Sequence, residues 1–247
     1  MSQENLAACL VNIKAITSEK TQAPSLPVNV FLQEAEDTFH WTSEDMPLLA
    51  TIGMNEEKRV DLNVRTGACR EAQSLWNKDH RSTKDAEKQW LSLSSIAYDL
   101  RDELIHKFRF AFRSNPQLVG RVSEIAKGTG HADMIQDLND LAVLGKENQD
   151  MLTPINFDLS ILDTAAETSA NCADMLAIAN GSKQKGNESK VLRDKAYTYL
   201  KQLVDEFRAA GKYLFWKNPD RLVGYSSDYW RSKKTSSKKN NEAPVEA

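Results

Sequence analysis

Glycine and proline are scarce. The 247 residues hold ten of the first and seven of the second, too few to punctuate a fold of many short strands and tight turns. Cysteine is scarcer still: Cys9, Cys69 and Cys172 are an odd number at wide spacing. That excludes a disulfide framework or a clustered zinc site and suits a reducing compartment. No stretch approaches the ~20 apolar residues of a membrane helix. Met1-Ser2-Gln3-Glu4-Asn5 lacks the basic start of a secretory signal, and the apolar patch Leu6–Ile16 is short and carries Asn12 and Lys14. These absences give a cytoplasmic expectation with no membrane span. Charge of one sign is lacking too. The net charge is −3, which names no partner, although residues 231–247 carry five Lys/Arg against two Glu.

What remains is helix-forming material. Charged residues make up 27% of the chain and apolar residues 40%, the balance of an ordinary globular protein rich in helix. Residues 1–27 read as a leader: one helix over Glu4–Ile16, then a polar linker closed by Pro24-Ser25-Leu26-Pro27, where two prolines end any helix. Apolar positions 31, 32, 35, 39 and 41 give a helix over Phe31–Trp41. A long helix follows from Asn55 to Asn77, then a polar loop Asn77–Arg81. Ser82 and Asp85 look like a capping pair for the next helix. That helix runs to Ser114, its stripe Leu93, Ala97, Leu100, Leu104, Phe108, Phe112 stepping by three and four.

The second half follows the same plan. A shift of 103 carries Gln33 to Gln136, Leu49 to Leu152, Cys69 to Cys172, Asn77 to Asn180, Phe112 to Phe215 and Asn115-Pro116 to Asn218-Pro219. Over Phe31–Pro116 this gives 13 identities in 86 ungapped pairs, several of them at expected element ends. Both Asn-Pro pairs follow a long amphipathic segment. Asparagine caps a helix well, and proline suits the first helical position while stopping the helix before it. The expected fold is therefore all-α: an elongated up-and-down bundle of two similar repeats of about 100 residues, over 28–127 and 128–230. A disordered basic tail over 231–247 follows.

Catalytic chemistry finds little footing. Glu103-Leu104-Ile105-His106 has the Glu-x-x-His spacing of di-iron bundles, but the shift of 103 turns His106 into Ala209. A surface ion-pair position explains Glu103 better. No Gly-x-Ser-x-Gly and no phosphate-cradling glycine loop occur. Cys69 and Cys172 read as small apolar core residues rather than a redox pair. No cofactor and no metal is expected, and the balance is against an enzyme.

The corners are the remaining candidates. Residues 101–127 carry six Lys/Arg against three acids, and 206–234 carry seven against three. Aromatic residues interleave with both. This is the composition of a single-strand nucleic-acid surface, and also of helix ends plugged by rings with basic stems lying over them. The candidate interaction surface comprises Arg113, Arg121, Trp216, Lys217, Arg221, Tyr225, Tyr229 and Trp230.

Arg193-Asp194-Lys195-Ala196-Tyr197-Thr198-Tyr199-Leu200-Lys201, with Ala209-Ala210-Gly211-Lys212-Tyr213-Leu214-Phe215-Trp216-Lys217-Asn218-Pro219, resembles a C-terminal pattern of uncharacterised bacterial helical proteins. The resemblance spans about forty residues. It implies a bacterial, all-helical protein and brings no catalytic residues with it. Function at this point reads as a non-catalytic interaction or scaffold protein with a protein partner. The alternatives are nucleic-acid binding through the corners and tail, or a small-molecule or enzymatic site between the repeats.

Overall fold

Asn55 opens the longest helix. Its side chain accepts the Lys58 N–H at 3.1 Å, and Glu56 and Glu57 place negative charge in the first turn, where the helix dipole favours it. In the computed structural model, which describes residues 1–241 and side chains through 235, this helix does not stop at Asn77. It runs without interruption from Glu56 to Ala111 (α4). The expected loop Asn77–Arg81 is a polar turn of helix. It contains neither glycine nor proline, so nothing in the backbone enforces a break. Polarity alone marks exposure, not a loop. Likewise Asn180 lies inside Ser160–Leu214 (α8).

The other helices are short. They are α1 (Ser2–Ala15), α2 (Val28–Trp41), α3 (Met46–Ala50), α5 (Pro116–Ile125), α6 (His131–Glu147), α7 (Gln149–Leu152), α9 (Pro219–Val223) and α10 (Asp228–Asn241). Every regular element among the described residues is helical. The protein is all-α. α10 carries helix into the stretch read as a structureless tail, through Asn241; 242–247 lie outside the described residues. Among the described residues no helix is long and apolar enough to cross a membrane.

The chain forms two compact units, each with its own core. Unit 1 comprises 1–78 and 187–247; unit 2 comprises 79–186. These spatial units are not the two sequence halves, because α4 and α8 each contribute to both.

In unit 1, Phe31, Leu32 and Ala35 of α2 bury against Leu62 and Cys69 of α4 and Tyr197, Leu200, Val204 and Phe207 of α8. The leader belongs to this core. Leu6, Cys9 and Ile13 are buried, Asn12 donates to the Tyr199 hydroxyl at 3.1 Å, and the Gln22 N–H donates to Thr198 Oγ1 at 2.8 Å. Its apolar face has somewhere to go, which residue order alone did not reveal.

In unit 2 the stripe of α4 behaves as its spacing predicts. Ala97, Leu104, Phe108 and Phe112 are buried with Leu118 and Val122 of α5 and Met134, Leu138 and Leu141 of α6. Phe110, off the stripe, is 55% exposed, as a single apolar helix face requires.

Cys69 and Cys172 are wholly buried, one in each core. Burial pushes the Cys69 thiol up to about 12 and raises Cys172 as well, which leaves both inert as nucleophiles near neutral pH.

Candidate interaction surface at the C-terminal corner

The corner begins with a cap. Asn218 adopts φ −118°, ψ 90° and its side chain accepts the Arg221 N–H at 3.1 Å. Pro219 fills the first helical position, where its missing N–H costs nothing. α9 is only five residues long, and its last full turn is held from outside.

Arg221 projects from α9 onto Asp45, in the turn between α2 and α3. Its Nε donates to both Asp45 carboxylate oxygens at 3.1 and 3.0 Å, and Nη2 reaches Oδ2 at 2.8 Å. Nη1 donates to Glu44 at 3.1 Å and Nη2 to the Trp41 carbonyl at 3.2 Å. The guanidinium carbon sits 4.5 Å from the Trp41 ring centroid. Asp45 also takes the Tyr225 hydroxyl at 2.6 Å. Its hydrogen bond and charge raise the Arg221 pKa. Burial, reinforced by that carboxylate, holds the Tyr225 phenol far above its usual range.

Close packing makes this possible. A Cβ on Gly211 would lie 2.0 Å from the Tyr225 ring, and one on Gly224 would lie 2.1 Å from the Trp41 indole. Both glycines are replaced in effect by an aromatic face.

A second buried carboxylate fixes α10. Glu34 of α2 accepts Arg208 Nη2 at 2.7 Å, the Ser227 hydroxyl at 2.8 Å and the Tyr229 N–H at 3.0 Å. A negative charge thus meets the first turn of α10, where helix N–H groups lack partners.

Outside this locked frame lies a groove of about 630 Å³ between the end of α8 and α10, lined by Asp205, Arg208, Lys212, Trp230, Arg231 and Lys234 among others. Trp230 is 43% exposed. Arg208 and Arg231 are paired, with Glu34 and Asp228. Among the described residues Lys212 and Lys234 take part in no ion pair with an acid. The groove therefore offers two uncommitted ammonium groups around an open indole. In unit 2 a second groove, of about 390 Å³, runs along α5 and α6 with Arg121, Glu124, Ile125, Asp140, Val143, Leu144 and Glu147 on its walls.

The eight surface residues expected from sequence separate accordingly. Trp230 lines the basic groove and Arg121 the acidic one. Trp216 is 69% exposed, with Lys217 Nζ 4.5 Å from its ring centroid. Arg113 is exposed and lies over its own helix, its Nη1 donating to the Phe110 carbonyl at 2.7 Å. Tyr229 is half-buried against the unit 1 core. Tyr225 is a correction: it has no exposed surface, because Gly211 opens a slot for its ring and Asp45 takes its hydroxyl. Arg221 is similarly committed inward.

Sequence reasoning missed Asp45, Glu34 and Trp41. Glu34 had left a trace: it interrupts the apolar face of α2 between Phe31, Ala35 and Thr38, and an acid there asks for a buried partner. Glu103, for its part, forms an ion pair with Lys107 one turn on. No cluster of three or more His, Cys, Asp or Glu suited to a metal ion occurs among the described residues. No known family model, curated protein or solved structure matches the chain.

Proposed function

We propose that this protein is a non-catalytic interaction scaffold of the bacterial cytoplasm, built from two similar helical repeats, whose working face is the basic groove between α8 and α10. The observation that carries this is the pairing of rigidity with uncommitted charge. Two buried carboxylates, Asp45 and Glu34, hold α9 and the start of α10 in place, and the groove so formed presents Lys212, Lys234 and an exposed Trp230. A pre-ordered surface loses little entropy on binding, and tryptophan beside cations is typical of binding hot spots. The partner is anionic, first an acidic protein surface. The repeat reading is supported by element ends: α4 and α8 end at Ala111 and Leu214, and α5 and α9 begin at Pro116 and Pro219, each pair 103 residues apart.

One feature favours a second reading. A ring flanked by cations also suits stacking of a single-stranded base. Anisotropy with a labelled poly-glutamate peptide and a labelled single-stranded oligonucleotide separates the two. The proposal expects peptide binding that weakens as salt rises and falls at least about tenfold in Lys212→Glu/Lys234→Glu. Binding of the oligonucleotide alone would move the assignment to nucleic acid. No binding of either probe at low salt overturns the assignment of the groove.

A further inference from the structure

The two grooves differ in sign. The groove of unit 1 surrounds Trp230 with Lys212 and Lys234, and with Arg208 and Arg231 already paired to Glu34 and Asp228, while Asp205 lies on its wall. The groove of unit 2 sets Val143, 49% exposed, among Glu124, Asp140 and Glu147 against the single cation Arg121. Each has an apolar centre and a charged rim, the anatomy of a protein–protein contact. Within unit 2 the acids are weakly engaged. Glu124 meets Lys127 at 2.6 Å with both side chains about two-thirds exposed, and Asp140 accepts the neutral Gln136 amide at 2.7 Å. Exposed pairs of this kind contribute little and yield easily to a new partner.

We infer that the anionic partner of the basic groove is the acidic α5–α6 groove of a second copy of this chain, with Trp230 seated against Val143 and Ile125 and the lysines facing Glu124, Asp140 and Glu147. This inference rests on the groove assignment proposed above and gives that groove its occupant. A contact between unlike surfaces is heterologous. A pair of copies keeps one free groove of each sign, so copies add head to tail into rings or open chains. A scaffold that extends itself follows from one surface pair.

The unlike ends supply the test. Trp230→Ala removes the ring of one end, and Val143→Arg blocks the other; both residues are exposed, and circular dichroism checks that each variant is folded. Sedimentation velocity of the intact protein at low salt is expected to show mass rising with concentration and falling as salt is added. Each variant alone is expected to stay monomeric. Mixed, the two variants still share one intact pair of ends, and they should form a 1:1 dimer and nothing larger. A wild-type protein that stays monomeric at high concentration and low salt overturns the inference, as does assembly that persists in either variant alone or a mixture that stays monomeric while the wild type assembles. If the wild type is monomeric but still binds poly-glutamate through Lys212 and Lys234, the groove assignment stands and only the second copy fails.

Discussion

The two Asn-Pro corners turn the chain with nearly the same backbone and then fill the space behind it differently. Asn115 sits at φ −121°, ψ 97° and Asn218 at φ −118°, ψ 90°. In each, the N–H of the asparagine bonds at 2.8 Å to the carbonyl of the phenylalanine three residues before it. Seven residues before the asparagine the chains diverge. Unit 2 has Phe108, wholly buried, 5.2 Å from Phe112 and 5.9 Å from Phe157 between ring centroids. Gly145 of α6 makes room for it: a Cβ there would lie 2.7 Å from the Phe108 ring. Unit 1 has Gly211 at that place, and the ring comes from beyond the corner as Tyr225. The glycine lies wherever the ring does not. The consequence is chemical. A phenylalanine plug closes its corner with apolar contact alone, whereas a tyrosine arriving from outside brings a hydroxyl that needs a buried acceptor. Asp45 supplies it, and Arg221 then balances Asp45.

The largest test of this contrast truncates the plugs. Phe108→Ala and Tyr225→Ala should each cost about 3–5 kcal/mol in urea unfolding, the range for emptying a large aromatic site. If one costs much less than the other, the two rings do not play matching parts. A double change, Tyr225→Ala with Gly211→Phe, asks whether a ring on the helix can replace the ring beyond the corner. Partial recovery over Tyr225→Ala alone is the expected result, since Asp45 still lacks its hydroxyl donor.

A smaller effect isolates the polar half of the contrast. Tyr225→Phe keeps the ring and removes a hydrogen bond to a carboxylate, which costs about 1.5 kcal/mol with Arg221 still on Asp45. The pH dependence has a definite sign. The folded-state pKa of Tyr225 is raised, so its stabilising contribution is fully present below the ordinary phenol value of ~10 and is lost as pH rises beyond it. Unfolded chains release the proton there and folded ones do not. Wild type should therefore exceed Tyr225→Phe in stability at neutral pH, with the gap narrowing above pH ~10. An alkaline gap that stays constant would mean that the phenol ionises as easily in the fold as outside it.

Local signals in the sequence carried a good share of this architecture. The caps at Asn115 and Asn218 and the stripe Ala97–Phe112 follow from short-range spacing, the buried cysteines from residue type, and all are found. The false break at Asn77–Arg81 came from treating a polar run as a loop when no residue in it opposes helix. What stayed hidden depends on contacts between distant segments. Arg221 and Asp45 are 176 residues apart, and no periodicity links them. Tyr225 looked like a surface ring because aromatic residues beside lysines suggest binding. Only the slot at Gly211 shows otherwise. The grooves are likewise products of packing, with Trp230 legible as an exposed candidate and Val143 not.

The smallest effect concerns the caps themselves. Asn115 accepts two backbone N–H groups, from Gln117 at 3.1 Å and Leu118 at 3.3 Å, while Asn218 accepts one, from Arg221. Replacing either with alanine should cost about 1 kcal/mol, the usual worth of such a cap, with Asn115→Ala the larger of the two. Aspartate at either site should recover most of the loss, since its carboxylate accepts the same N–H groups and suits the helix dipole. The contrast sharpens when the cap is combined with the anchor. α5 has ten residues and buries Leu118 and Val122, so its start depends on the cap and its body on the core. α9 has five residues, none of them buried, and is tied by Arg221 to Asp45. If that tie holds α9, Asn218→Ala should cost more in an Arg221→Met background than alone, because cap and anchor then support the same short turn. Equal costs in both backgrounds would show that the cap and the ion pair act independently, and that the polar network secures Tyr225 rather than the helix it leaves from.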